Sequence, residues 1–400
     1  MDKKLLLLAF VSALIVPRSF RLGLIHLSFI FFCGSITFQA ARSKLKLGDV
    51  FLLVILTAWP LVGSIAATLN GIPQTWLSVR SFFPIFVFAA TFVVVKNIQP
   101  SQQYILVNIL LMAAVLSLFV VCQTLFQSDV IRAIWSPVER ARNTVTEFDV
   151  LAPTGNPNNS AVLFGLSLLS VIWAYNKFDK STMKVRTAVS SIISSKLVVS
   201  ALVLILVTGI VFAYARTVVV SLMFAVVVLV AIRLYKKYDV VVSTLGMLLG
   251  ITILLVAYIY IANTDGRLAE YYLTIFKLTE AASIQARLAA WQLSYELLVG
   301  QPILLLTGVG EYEAFFNHHL GNTILDSGIV YVIVSYGLLF LLVLLVTGTR
   351  LITDNLLLAP LFIFLLISSI TLPFVSDYIM NIAVSYIVAL IVTSEVRNIW

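Results

Sequence analysis

Apolar residues in this chain do not alternate with polar ones. They run on for about 17 to 25 residues at a time, the length an α-helix needs to cross the hydrocarbon of a bilayer. Such runs predict helices near residues 4–17, 22–40, 50–68, 81–95, 104–126 and 160–175, then near 197–214, 217–235, 240–262, 329–348, 356–373 and 379–394. The expectation is an all-α polytopic membrane protein with about twelve transmembrane helices. No internal repeat and no low-complexity tract is visible in the sequence.

Two connecting stretches exceed the usual length of a connector. One covers 127–159 and contains "RARNTVTEFDVLAPTGNPNNSA"; the other covers 263–328. Loops beyond about 15 residues in a compact protein are usually functional or disordered. The second contains "GRLAEYYLTIFKLTEAASIQARLAAWQLSYELLVG", where apolar residues recur at helical spacing with a break near Ala281, Ala282 and Ser283. Two amphipathic helices are predicted there. The second carries Leu288, Trp291 and Leu298 on one face and stops at Gly300 before Pro302. This gives a linear division into 1–262 (nine helices and the loop at 127–159), 263–328 (a large outer loop) and 329–400 (three helices).

Composition agrees with that picture. The 400 residues are 61% hydrophobic and only 11% charged, with a mean hydropathy of +1.06; a soluble domain carries roughly 25% charged residues. The net charge of +8 is therefore read by position and not as a nucleic-acid signal. Cys33 and Cys122 both fall inside apolar runs, so neither a disulfide framework nor a metal site is suggested. The start, Met1-Asp2-Lys3-Lys4 followed by "LLLLAFVSALIV", shares the charged and apolar parts of a signal peptide. It lacks a small-x-small cleavage site and reads instead as the first helix.

Loop charges orient the chain. With both ends in the cytoplasm, the basic residues expected inside are mostly lysines, such as Lys3, Lys44, Lys96, Lys177 and Lys237. Those expected outside are Arg18, Arg21, Arg80, Arg132, Arg140, Arg142, Arg216, Arg267, Lys277 and Arg287, nearly all arginine. Orientation needs only positive charge, whereas the planar guanidinium with five donors suits bidentate binding of phosphate or carboxylate.

Some outer residues stand out. Arg216 interrupts "VFAYARTVVVSLMF" with only Thr217 polar beside it. It either snorkels to headgroups or holds an anion at the mouth of a helix bundle. Arg287 is either a solvated arginine or an anion ligand. Arg140 and Arg142 either serve the same anion or rim the membrane. "NPNNS" at 156–160 reads as a turn and helix start with Asn158, Asn159 or Ser160 as the cap. His318 and His319 carry the side chain best suited to moving protons near neutral pH. Two adjacent histidines do not readily share one metal ion. Asp326 is either a proton acceptor or, with Ser327, a helix cap.

The order of "ARTVVVSLMFAVVVLVAI", "RLAAWQLSYELL", "LTGVGEYEAFF" and a polar patch before an apolar helix with an internal glycine resembles the O-antigen ligase and polymerase superfamily. "TGNPNNSA" is similar to a pattern of the same group. The likeness covers about 142–337, roughly half the chain. The ligases of that family show a histidine, then Asn, Ser or Gln, nine residues and a glycine. Counting back from Gly337 across Gly328–Tyr336 reaches Ser327, and Asp326 stands where the histidine would be. An acid there is more like the Wzy-type repeat-unit polymerases.

The resemblance implies a GT-C-like inner-membrane glycosyltransferase with a helical periplasmic loop domain. Its donor and acceptor would be undecaprenyl diphosphate-linked oligosaccharides. It implies a chain-length regulator as partner; arginines that neutralise the diphosphate would do without a metal ion, and no cofactor and no nucleic acid is expected. Glycosyl transfer from a lipid diphosphate needs the leaving group stabilised and a sugar hydroxyl deprotonated. Arg216 and Arg287, with Arg142, Arg80 and Asn158, are the candidate diphosphate or substrate ligands. His318, His319 and Asp326 are the candidate bases, and a single displacement would invert the anomeric centre. The alternatives are a ligase acting on lipid A core and a lipid-linked glycan transporter. Transporters commonly carry repeats and midplane charges, and the sequence shows neither.

Overall fold

A computed structural model describes residues 2–16, 21–22, 25–42, 45–72, 78–124, 154, 156–177, 195–213, 215–237, 282–310, 327–354, 356–371 and 378–396. Among them the chain is helical apart from one short hairpin. Helices α1 (Asp2–Ile15), α2 (Leu27–Arg42), α3 (Leu47–Leu69), α4 (Ser78–Ile98) and α5 (Gln102–Thr124) come first. Then follow α6 (Pro157–Lys177), α7 (Lys196–Phe212), α8 (Arg216–Lys237) and α9 (Ala282–Gly300). Last come α10 (Pro302–Thr307), α11 (Gly328–Asp354), α12 (Ala359–Thr371) and α13 (Tyr378–Val396).

Each apolar run predicted to be helical has a helix here, except that at 240–262, which lies outside the described residues. Among the described residues, four helices are long and apolar enough to cross a membrane: Leu47–Leu69, Gln102–Thr124, Asn158–Lys177 and Gly328–Arg350. The other apolar helices are shorter. One start differs from expectation. The helix predicted from residue 22 begins at Leu27, because Arg21–Leu22 pairs antiparallel with Ile25–His26. Gly23 is a poor helix residue, and the flanking Arg21 and His26 keep the apolar run from extending back.

Two compact units divide the described chain, and they cut across the linear division at 262 and 328. The first comprises 1–54, 86–218 and 374–400; the second comprises 55–85 and 219–373. In the first, α5, α6 and α7 pack on one another, and α13 packs on α1, α2, α5 and α6. Ile379, Met380, Ile382, Ala383 and every residue from Tyr386 to Val392 are buried, so α13 is apolar all round because protein surrounds it. Its Tyr386 stacks at 4.6 Å from Phe10 and meets Phe32 edge-on. The phenol donates to Asn108 Oδ1 at 2.9 Å and shares a 2.7 Å bond with the Tyr104 hydroxyl. A buried hydroxyl needs such partners.

The second unit is built on α11, against which α9, α10 and α12 pack. Its helices keep broad apolar exposure, with Leu61, Val62 and Ile65 on α3 and Leu342, Val343 and Val346 on α11 facing outward. In a chain of this hydropathy those faces meet lipid. The single apolar face expected on α9 does not form. The helix buries Ala290, Ser294 and Leu298, while Leu288 and Tyr295 are exposed.

Candidate functional site

The residues before α11 were the centre of the chemical expectation. His318, His319 and Asp326 lie outside the described residues, as does Arg142. What is described is the helix they precede. Ser327 is buried and caps α11: its Oγ accepts from Val330 N at 3.3 Å and its carbonyl accepts from Tyr331 N at 2.8 Å. The capping role open to Asp326 and Ser327 is thus filled by the serine.

Arg216 is the first residue of α8, immediately after buried Ala215, whose carbonyl accepts from Val218 N at 3.0 Å. Arg80 is in the first turn of α4 and Arg287 is in the second turn of α9. The side chains of all three lie outside the described residues. Arg216 belongs to the first unit, and Arg80 and Arg287 to the second.

The helix ends themselves are informative. A helix N-terminus carries partial positive charge, so acids are favoured there and bases at the C-terminus. Arg42, Lys96 and Lys177 follow the rule in the last turns of α2, α4 and α6, and Asp49 follows it in the first turn of α3. Arg80 and Arg216 break it, as does Lys196 at the start of α7, all three occupying first turns that contain no acid. Backbone donors and a guanidinium at one helix start make a local excess of positive charge that an anion relieves.

"NPNNS" resolves differently from expectation. The cap of α6 is Asn156, not Asn158, Asn159 or Ser160: its Oδ1 accepts from Asn158 N at 2.9 Å and from Asn159 N at 3.4 Å. Pro157 follows as the first helical residue, where its missing N–H costs nothing. Ser160 turns back to Thr154, with 2.9 Å between their hydroxyls, and Thr154 donates to Asn156 O at 2.7 Å. Asn158 is half-buried, and its side chain takes no part in the cap.

Sequence reasoning missed how α11 is fixed. Gly337 adopts φ 81°, ψ 167° and breaks the helix. The carbonyls just before a break lose their intrahelical donors. Here they accept from elsewhere: Val334 O from Val309 N at 2.7 Å, Ser335 O from Gly310 N at 3.0 Å, and Tyr336 O from Trp59 Nε1 at 2.7 Å. The donors come from the loop after α10 and from α3. That loop is pressed between two helices, since a side chain on Gly63 would meet Thr307 O at 2.9 Å and Gly310 N at 3.0 Å. On its other side, Gly308, at φ 76°, lies against the Ser335–Tyr336 backbone. The "LTGVG" stretch and the internal glycine of α11 were the available signal. Pattern reading gives no way to see that they touch.

Compared with known proteins, the chain matches no family model and no curated protein. Fold and composition define the class: an α-helical membrane protein.

Proposed function

We propose that this chain is a membrane glycosyltransferase of the repeat-unit polymerase kind, with twelve spans, both termini cytoplasmic and its reacting residues on the periplasmic face of the bacterial inner membrane. Donor and acceptor are both undecaprenyl diphosphate-linked oligosaccharides. The observation that carries this reading is the reversal of charge at helix ends. The basic residues in the last turns of α2, α4 and α6 obey the helix dipole, while Arg80, Arg216 and Lys196 stand in first turns and oppose it; of these three, the two arginines are at ends expected to face outward. A diphosphate satisfies both the helix start and the guanidinium.

In the reaction, Arg216 and Arg287 take up the charge that develops on the departing lipid diphosphate. Arg80, Arg142 and Asn158 are the further candidate substrate ligands. Asp326, or one of His318 and His319, removes the proton from the attacking sugar hydroxyl, and the new glycosidic bond forms as the anomeric carbon–phosphate oxygen bond breaks. The capping of α11 by Ser327 supports the base role, because the start of the helix is capped without calling on Asp326. Removing a preorganised charge partner of a leaving group costs about 10²–10³-fold in rate.

The test is reconstitution of purified protein with an undecaprenyl diphosphate-linked repeat unit in the presence of a chelator, followed on gels for a ladder of lengthened glycan. Wild type is compared with Arg216→Ala, Arg287→Ala, His319→Ala and Asp326→Asn. The ladder is expected from wild type and to fall by about 10²–10³-fold in both arginine variants. No ladder, but transfer to an added lipid A core acceptor, makes the protein a ligase. Ladder formation unaffected by either arginine substitution sinks the charge argument. Retention of the donor's anomeric configuration in the product counts against a single displacement.

A further inference from the structure

We propose that residues 302–310 are a re-entrant segment dipping into the membrane, and that the apolar stripe running from the end of α9 onto α10 faces the acyl chains of the bilayer. This goes beyond the reading of function and does not depend on it. It rests on α3 and α11 spanning the membrane, as their length and hydropathy indicate.

The depth follows from two independent helices. The loop at 308–310 hydrogen-bonds α11 at Val334 and Ser335, and Ser335 lies about 10 Å along that helix from its start at Gly328 at a rise of 1.5 Å per residue. The same loop touches α3 at Gly63, about 9 Å from that helix's end at Leu69. The C-terminal end of one span and the N-terminal end of the other therefore lie on the same side. From both, the loop is sunk by about 10 Å, inside a hydrocarbon layer about 30 Å thick. Irregular backbone is tolerated at such depth only where protein covers it and its polar groups are paired. Gly308, Val309 and Gly310 are all buried, and the backbone N–H groups of all three are bonded, that of Gly308 to Leu304 O at 2.8 Å.

The flank of the segment fits the same environment. Leu288, Tyr295 and Val299 lie on one side of α9 beside exposed Gln292 and Glu296, which hydrogen-bond each other at 2.9 Å, and Ile303 and Leu306 carry the apolar positions on along α10. Those five hydrophobic residues are exposed, by 51% to 66%. From Val299 to Leu306 every exposed position is apolar, and soluble surfaces rarely present such a patch to water. It is continuous in kind with the outward Leu61, Val62 and Ile65 of α3, the helix the loop crosses. Tyr295, an amphipathic ring, suits the headgroup level nearer the surface.

The experiment is spin-label accessibility in proteoliposomes of phosphatidylethanolamine and phosphatidylglycerol. Cys33 and Cys122 are first replaced by serine, then single cysteines are introduced as Tyr295→Cys, Val299→Cys, Ile303→Cys and Leu306→Cys. All four positions are exposed, so no core contact is lost, and Val299 reports the same face if another variant fails to fold. Leu339→Cys serves as the lipid control and Lys46→Cys as the aqueous one. Oxygen collisions are expected to dominate over those with a water-soluble nickel chelate at 303 and 306, as at 339, with a shallower value at 295. Nickel accessibility at 303 and 306 equal to that at 46 overturns the proposal. So does protection from both reagents with dipolar broadening, which would seat a second copy of the chain on the stripe.

Discussion

Replacing Gly337 by alanine tests the junction that fixes α11. A Cβ at this position overlaps the carbonyl of Leu306 and comes within 2.7 Å of Gly308 N. Both are backbone atoms with no rotamer to change, so the loop or the helix must move. The conformation at φ 81°, ψ 167° is one that side-chain-bearing residues adopt only at about 1–3 kcal/mol. Overpacking against fixed neighbours adds about 1–3 kcal/mol, giving a loss of about 2–6 kcal/mol. Gly348→Ala, on the same helix, is the control. Its Cβ meets only the Phe362 ring at 3.6 Å and 3.7 Å, an ordinary contact, and alanine is favoured over glycine in a helix interior by about 1 kcal/mol. Equilibrium unfolding in mixed micelles of rising dodecyl sulfate fraction, followed by tryptophan fluorescence, measures both. A Gly337→Ala variant within about 1 kcal/mol of wild type would show that the loop does not cross the helix there.

Two further pairs of substitutions separate structure from chemistry. Trp59→Phe removes the indole donor to Tyr336 O and is expected to cost about 1–3 kcal/mol in the same unfolding assay; Trp291→Phe, whose indole N–H has no partner among the described residues, costs less, and equal losses would contradict the role given to Trp59. Asn156→Ala loses the cap of α6 and about 1 kcal/mol, whereas Asn158→Ala, whose side chain stands apart from the cap, stays within about 0.5 kcal/mol of wild type. The same Asn158 variant lowers ladder formation in the polymerisation assay, and unchanged yield removes that residue from the substrate ligands.

Legibility differed by the range of the interaction involved. Helix positions were readable because a span is specified by a local quantity, the run of apolar residues, and α3, α5 and α8 lie within three residues of their expected bounds at either end. The start of α2 was missed because a hairpin over Arg21–His26 competes with the helix over a handful of residues, a choice that summed hydropathy does not resolve. The cap of α6 was placed two or more residues late, since Asn156, Asn158 and Asn159 are alike in composition and only the position of Pro157 separates them. On α9, helical spacing identified apolar positions but not which of them meet protein. Leu288 and Leu298 look alike in sequence, and one is exposed and the other buried. The junction at Gly337 was not readable at all, because Trp59 and Tyr336 are 277 residues apart.

That junction bears on the candidate site through leverage. Between the cap at Ser327 and the break at Gly337, α11 runs as a short rod of about 15 Å. A tilt of roughly 10° at the break would carry Ser327 through about 2.6 Å, and misplacement by about 1 Å can cost 10²-fold in rate. A reacting group placed just before this helix is therefore positioned only if the break is held from more than one direction. The loop after α10 holds Val334 and Ser335, and Trp59 of α3 holds Tyr336. Three bonds from two separate elements remove the freedom that a glycine break would otherwise introduce. The same arrangement explains why the glycines and the arginines should fail differently. Gly337→Ala disturbs stability and activity together, whereas Arg216→Ala and Arg287→Ala are expected to reduce transfer in a protein that unfolds at the wild-type detergent fraction.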